Sequence, residues 1–136
     1  MQARGAALIV VDTNIIVYAC LPGEHEAGAA ALMAEDSDWH APNLWRSKFL
    51  SVLAGELRRQ RLTLAHAEAA LARAEERMRG GSHLIPSHAV LRLIPASHCT
   101  AYDLEFVALA QVLQVPLYTL DREILRDFPA TARPLN

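Results

Sequence analysis

Lysine is nearly missing from this chain of 136 residues: Lys48 stands alone, and the other twelve basic residues are arginine. Cysteine is scarce too. Cys20 and Cys99 sit in no CxxC or Cys/His spacing, so neither a disulfide framework nor a zinc site is supported, and a reducing cytosol is the simplest setting. The six histidines form no HxxxH or HExxH pattern, and no GxSxG or P-loop occurs, which removes zinc-hydrolase, serine-hydrolase and nucleotide-loop chemistry. A large charge of one sign is also absent: the net charge is −2, so any nucleic-acid contact must come from a local patch. No apolar run is long enough to span a membrane. Arg4 precedes an apolar run ending near Cys20, but Asp12 and Asn14 interrupt it, unlike the unbroken core of a signal peptide.

What remains is an ordinary globular composition, 52% hydrophobic, sized for a single domain over 1–136. Ala6 to Val11 is a short continuous apolar run that suits a strand buried on both faces. Helices are expected after Asp12, over Glu24–Asp36, over Leu44–Arg59 with an apolar face, from a Thr63 cap to Arg79, over Ser87–Ile94, and over Ala101–Leu113 behind Thr100. Trp39–Pro42 and Pro116–Leu120 read as short strands, Arg122–Arg126 as a short helix, and Ala132–Leu135 as a terminal extended piece. Apolar strands alternating with helices predict a three-layer α/β/α domain with a mostly parallel sheet.

Three aspartates carry the candidate chemistry. Asp12 and Asp121 each follow an apolar strand directly, and Asp103 lies in the first turn of a helix, three residues after Thr100. Each has a plain explanation: Asp12 and Asp121 as helix caps, Asp103 as half of a capping box with Thr100. Taken together they point elsewhere. Ligands of open α/β sheets bind beyond the carboxyl ends of the strands, and carboxylates gathered there repel one another without a cation. Mg²⁺ or Mn²⁺, which prefer oxygen ligands, would supply one, and such a site suits phosphodiester hydrolysis. Thr13, Asn14 and Thr119 are placed to fix water or phosphate, or equally to serve as local turn residues.

The blocks VVDTNIIVY, APNLWRSKFLSVL, TAYDLEFVALA and PLYTLD, in this order from Val10 to Asp121, resemble the PIN-domain family, and most of all its VapC-type toxins. The resemblance implies a parallel-sheet α/β/α domain and a Mg²⁺- or Mn²⁺-dependent endoribonuclease acting on RNA, which the cysteine usage sets in the cytoplasm. It also implies a small antitoxin-like partner and a homodimer. Catalytic and metal-ligating roles would fall on Asp12, Asp103 and Asp121. The second acidic position, normally a glutamate in the block after the proline, falls here on Lys48, and Ser51 stands where many relatives have Asn. Glu105 is a poor substitute, because two residues from Asp103 a helix points it well away.

Two functions follow. Three aspartates can suffice for a ribonuclease, with activity impaired by Lys48. Alternatively, the chain is a catalytically degenerate module that binds RNA or a protein partner. The bland account of Lys48 is a side chain snorkelling into solvent. Arg58, Arg59 and Arg61 can hold phosphates, but arginines closing a helix also complement its dipole. The alanine-rich helices permit close packing, in the core or at an interface.

Overall fold

In the computed structural model, which describes residues 8–135, the chain enters through β1 (Leu8–Val11), where Ile9, Val10 and Val11 are buried. A four-residue apolar run survives there because neighbours cover both edges and helices cover both faces. The expected extension of β1 back to Ala6 lies outside the described residues. With β2 (Asp38–Pro42), β3 (Ser82–His83), β4 (Leu117–Tyr118) and β5 (Ala132–Arg133), β1 forms a five-stranded sheet in the order β3-β2-β1-β4-β5. Every neighbouring pair is parallel. The expected mostly parallel three-layer α/β/α fold is thus observed with a wholly parallel sheet.

That order makes β1 the turning point of the winding. The chain proceeds outward through β2 and β3 on one side, then returns to place β4 and β5 on the other. Ligand sites of open α/β sheets form at such a reversal, beyond the strand carboxyl ends. Here the reversal separates β1 from β4, where Val11 is in register with Tyr118. The residues that follow, Asp12 and Thr119, therefore emerge side by side.

Helices α1 (Thr13–Cys20), α2 (Glu26–Glu35), α3 (Trp45–Arg58) and α4 (Leu64–Arg77) pack together, α1 touching the other three. On α4 the buried residues are Ala67, Ala70 and Ala74, a spacing that puts small side chains on one face and lets α1 and α3 approach closely. Helix α6 (Ala101–Leu113) lies along β1, β2 and β4, with α5 (Ser87–Leu91) against it. Its buried run Phe106–Ala110 goes right round the helix, as expected of a central helix rather than a surface one.

The caps follow local chemistry. The hydroxyls of Thr63 and Thr100 accept the N–H groups of His66 and Asp103, and Asp121 Oδ1 accepts those of Glu123 and Ile124 at the start of α7 (Arg122–Asp127).

Some expected elements differ in extent. The helix foreseen over Ser87–Ile94 stops at Leu91, and a separate 3-10 turn covers Ile94–Ala96. Pro95 has no N–H to donate to the Leu91 carbonyl, so the helix cannot continue through it. The Pro116–Leu120 strand pairs only over Leu117–Tyr118, and β3 was not foreseen. Among the described residues, no helix is long and apolar enough to cross a membrane.

Candidate functional site

Asp12 leaves the end of β1 and starts α1. Its carboxylate is almost fully buried and both oxygens are engaged: Oδ1 accepts the Thr13 N–H at 2.7 Å, and Oδ2 accepts the Thr119 hydroxyl at 2.7 Å. Thr119 is itself fully buried, and its oxygen also accepts the N–H of Asp121 at 3.0 Å. Thr119 therefore links two of the three aspartates. The link is short because β1 and β4 are neighbours.

Lys48, in the first turn of α3, closes the crevice from the other side. Its ammonium lies 3.3 Å from Asp103 Oδ1 and 4.0 Å from Asp12 Oδ1. Below it is the ring of Phe106, 5.0 Å from Nζ to centroid, a contact worth about 0.5–2 kcal/mol depending on how far the ammonium is desolvated. The Lys48 side chain is still 31% exposed, so a ligand can reach it. Lys48 does not snorkel into open solvent; it faces two carboxylates and an aromatic ring. Thr100 caps α6 as expected, while the Asp103 carboxylate turns to Lys48.

The three aspartates are not equivalent. Asp12 and Asp103 share one ammonium. Asp121 spends an oxygen capping α7, and its main chain reaches Asp12 only through Thr119. Among the described residues, no three His, Cys, Asp or Glu side chains stand close enough to hold a metal ion. Thr13 Oγ1 and Asn14 Oδ1 are buried without a hydrogen-bond partner among the described residues, and such hard oxygens do suit Mg²⁺ or Mn²⁺. Yet the place between Asp12 and Asp103 where a divalent ion would sit already faces an ammonium. As it stands, this donor set does not fit a divalent ion.

Burial pushes the Asp12 carboxyl above its usual range, against the opposing pull of the Thr119 hydroxyl, the Lys48 ammonium and the Thr13 N–H; Asp103 adds a smaller upward push. A carboxyl raised on folding adds stability below its unfolded value near 3.8, and loses that contribution as pH rises through the folded value. Asp12→Asn should therefore stabilise the protein at pH 8, by about 1 kcal/mol on the scale of one imperfectly compensated buried polar group. The gain should disappear towards pH 4. Urea unfolding at both pH values checks this; a variant less stable than wild type at pH 8 would show that the ion pair outweighs the burial cost.

Beside Lys48 and Asp103 a cavity of about 370 Å³ opens between α3 and the start of α6, with the Ser47 and Ser51 hydroxyls and Tyr102 on its walls. Tyr102 is 63% exposed, unusual for an aromatic side chain with no core to fill. A larger cavity, about 500 Å³, lies between the end of α1 and α4 near Arg73. It contains no member of the acidic crevice, so the smaller one is the better candidate for a ligand. Arg59 and Arg61 both lie near Glu56 at the far end of α3, roughly 15 Å along the helix from Lys48 at 1.5 Å per residue. They belong to the helix end and its solvated face. Sequence reasoning missed Phe106 and Tyr102: the first reads as an ordinary core position, and the second carries no spacing signal.

The PIN-domain family profile matches residues 9–130, and the chain belongs to this family, whose members are generally nucleases. Among solved structures it is similar to the FitAcB crystal structure from Neisseria gonorrhoeae, at a TM-score of 0.68 and 16% identity, covering 94% of this chain and 96% of that one. It is also similar to a toxin–antitoxin complex from Klebsiella pneumoniae, at 0.55 and 18% identity, covering 92% and 95%. At these identities the likeness is one of fold. No curated protein sequence matches the chain.

Proposed function

We propose that this protein is an RNA-directed PIN-type endoribonuclease of the toxin kind, with its cleavage held down by Lys48. The observation that carries this is the pairing of Asp12 with Asp103 at the point where the sheet winding reverses, next to an open cavity. RNA supplies what the cavity lacks: a phosphate for the ammonium, and a base for the exposed Tyr102 ring, where stacking on aromatics is worth roughly 1–3 kcal/mol per base. The family's Mg²⁺ or Mn²⁺ belongs to the same proposal, with Asp12, Asp103 and Asp121 as its acidic ligands once Lys48 is displaced. Thr13, Asn14 and Thr119 are the supporting oxygens.

The experiment is cleavage of single-stranded RNA by purified protein with Mg²⁺, with Mn²⁺ and with EDTA. Wild type should cleave slowly, and Asp103→Asn and EDTA should each abolish the activity. Cleavage that survives both would overturn the assignment. The absence of a three-ligand group among the described residues favours a second reading, a module that binds RNA without cutting it. RNA binding in EDTA with no cleavage by any Lys48 variant would select that reading.

A small antitoxin-like chain is the proposed protein partner, supported by the fold likeness to the Klebsiella pneumoniae toxin–antitoxin complex. Co-expression with the neighbouring reading frame should yield a co-purifying small chain and a homodimer of this one, read by light scattering. Recovery of the protein alone and monomeric would count against both.

A further inference from the structure

We infer that the Lys48 ammonium is the resident cation of the acidic crevice and that a divalent ion enters only by displacing it. Two observations meet at Nζ, and two more concern what holds it there. Nζ lies 3.3 Å from Asp103 Oδ1 and 4.0 Å from Asp12 Oδ1, two carboxylates that would otherwise face each other as like charges. It lies over the Phe106 ring at 5.0 Å. Its stem comes from the first turn of α3, a helix tied to the sheet by the Trp45 indole N–H donating to Ser82 Oγ at 2.8 Å. Asp121, the third carboxylate, has one oxygen occupied as the cap of α7 and forms no ion pair with Lys48 among the described residues.

An ammonium and a divalent ion cannot share this place. Mg²⁺ demands near-octahedral oxygen ligands at short range, and a cation wedged between the same two carboxylates would sit against a like charge. To enter, the divalent ion must expel Lys48 from both carboxylates and from the ring. One of the two facing charges is therefore offset from within, by a group that cannot dissociate. The inference concerns the same crevice as the proposed function, but its test contains no RNA, so the two can fail separately.

Because Lys48 is the only lysine, lysine labelled with ¹³C and ¹⁵N gives one side-chain ammonium signal. In wild type, that signal should move only at the Mg²⁺ concentrations that fill the crevice. Mn²⁺ binding followed by electron paramagnetic resonance should be at least about tenfold tighter in Lys48→Glu than in wild type, a difference of about 1.4 kcal/mol. Lys48→Ala should fall between, since it removes the competitor and adds no ligand; it carries the comparison if Lys48→Glu does not fold. Mg²⁺ that competes bound Mn²⁺ off wild type while the Lys48 signal stays unmoved overturns the inference. So does Mn²⁺ affinity that is the same in wild type and Lys48→Ala.

Discussion

On the proposed function, Lys48→Glu should raise RNA cleavage. With Mg²⁺ or Mn²⁺ present, RNA cleavage should rise at least about tenfold, the ratio produced by roughly 1.4 kcal/mol of transition-state stabilisation. The substitution acts twice at one place. It removes the ammonium now shared by Asp12 and Asp103, and it puts a carboxylate in its place. Lys48→Ala does only the first and should give an intermediate rate. The gain has a stability cost in EDTA, because the buried Asp12 then faces like charges with no cation. A loss of roughly 1–3 kcal/mol is expected, the scale of a buried group stripped of its partner. Mn²⁺ should recover part of it through binding to the folded state. The measurements are cleavage rates and melting curves for all three proteins with each metal and with EDTA. If Lys48→Glu cleaves no faster than wild type while binding metal better, the missing element is elsewhere in the crevice, with Asp121, held as a cap, the first suspect.

The outcome at these residues shows which parts of the site local chemistry can reveal. Asp12 was legible because an ionisable group closing an apolar run is expensive unless something compensates it. The caps at Thr63, Thr100 and Asp121 were legible because a capping bond spans only two or three residues. For Asp121 the capping role is what the structure displays. Lys48 stands out in the sequence by composition, as the only lysine. Its partners lie 36 and 55 positions away, and only the winding of the sheet brings them together. Phe106 gave no signal because a buried phenylalanine in a central helix is the commonest kind of core residue. The strands were legible where apolar residues run together: the PLYTL run around the two-residue β4 was foreseen, whereas the equally short β3 was not. The four apolar residues of β1 announced themselves, while β3 comprises only Ser82 and His83. Nothing in that dipeptide favours a strand; it is one because the edge of β2 offers main-chain groups that need partners.

Gly81, immediately before β3, should be the least tolerant glycine in the described chain. A Cβ built there would lie 2.2 Å from the Trp39 carbonyl oxygen and 3.4 Å from the His40 Cα. Both are main-chain atoms of β2, so no side chain can swing aside to make room. Gly81 approaches this closely because its own carbonyl accepts the Ala41 N–H at 2.8 Å. Gly81→Ala must push β3 off the sheet edge or bend β2, which carries the buried Trp39. The cost should be about 3 kcal/mol, at the upper end for overpacking. Gly80 is the control. Its φ of +78° strains any other residue, but an added Cβ there meets nothing within 4 Å. Gly80→Ala should therefore cost only about 1 kcal/mol, the penalty of left-handed backbone. The consequence of Gly81→Ala should also reach the crevice. Ser82 holds the Trp45 indole, and Trp45 opens the helix turn that carries Lys48, so displacing β3 loosens the support of the ammonium. Urea unfolding of both variants gives the stabilities, and the Lys48 ammonium signal in folded Gly81→Ala reports the second effect. Equal midpoints for the two variants would mean that the β2–β3 edge yields freely and the close approach at Gly81 is not what fixes it.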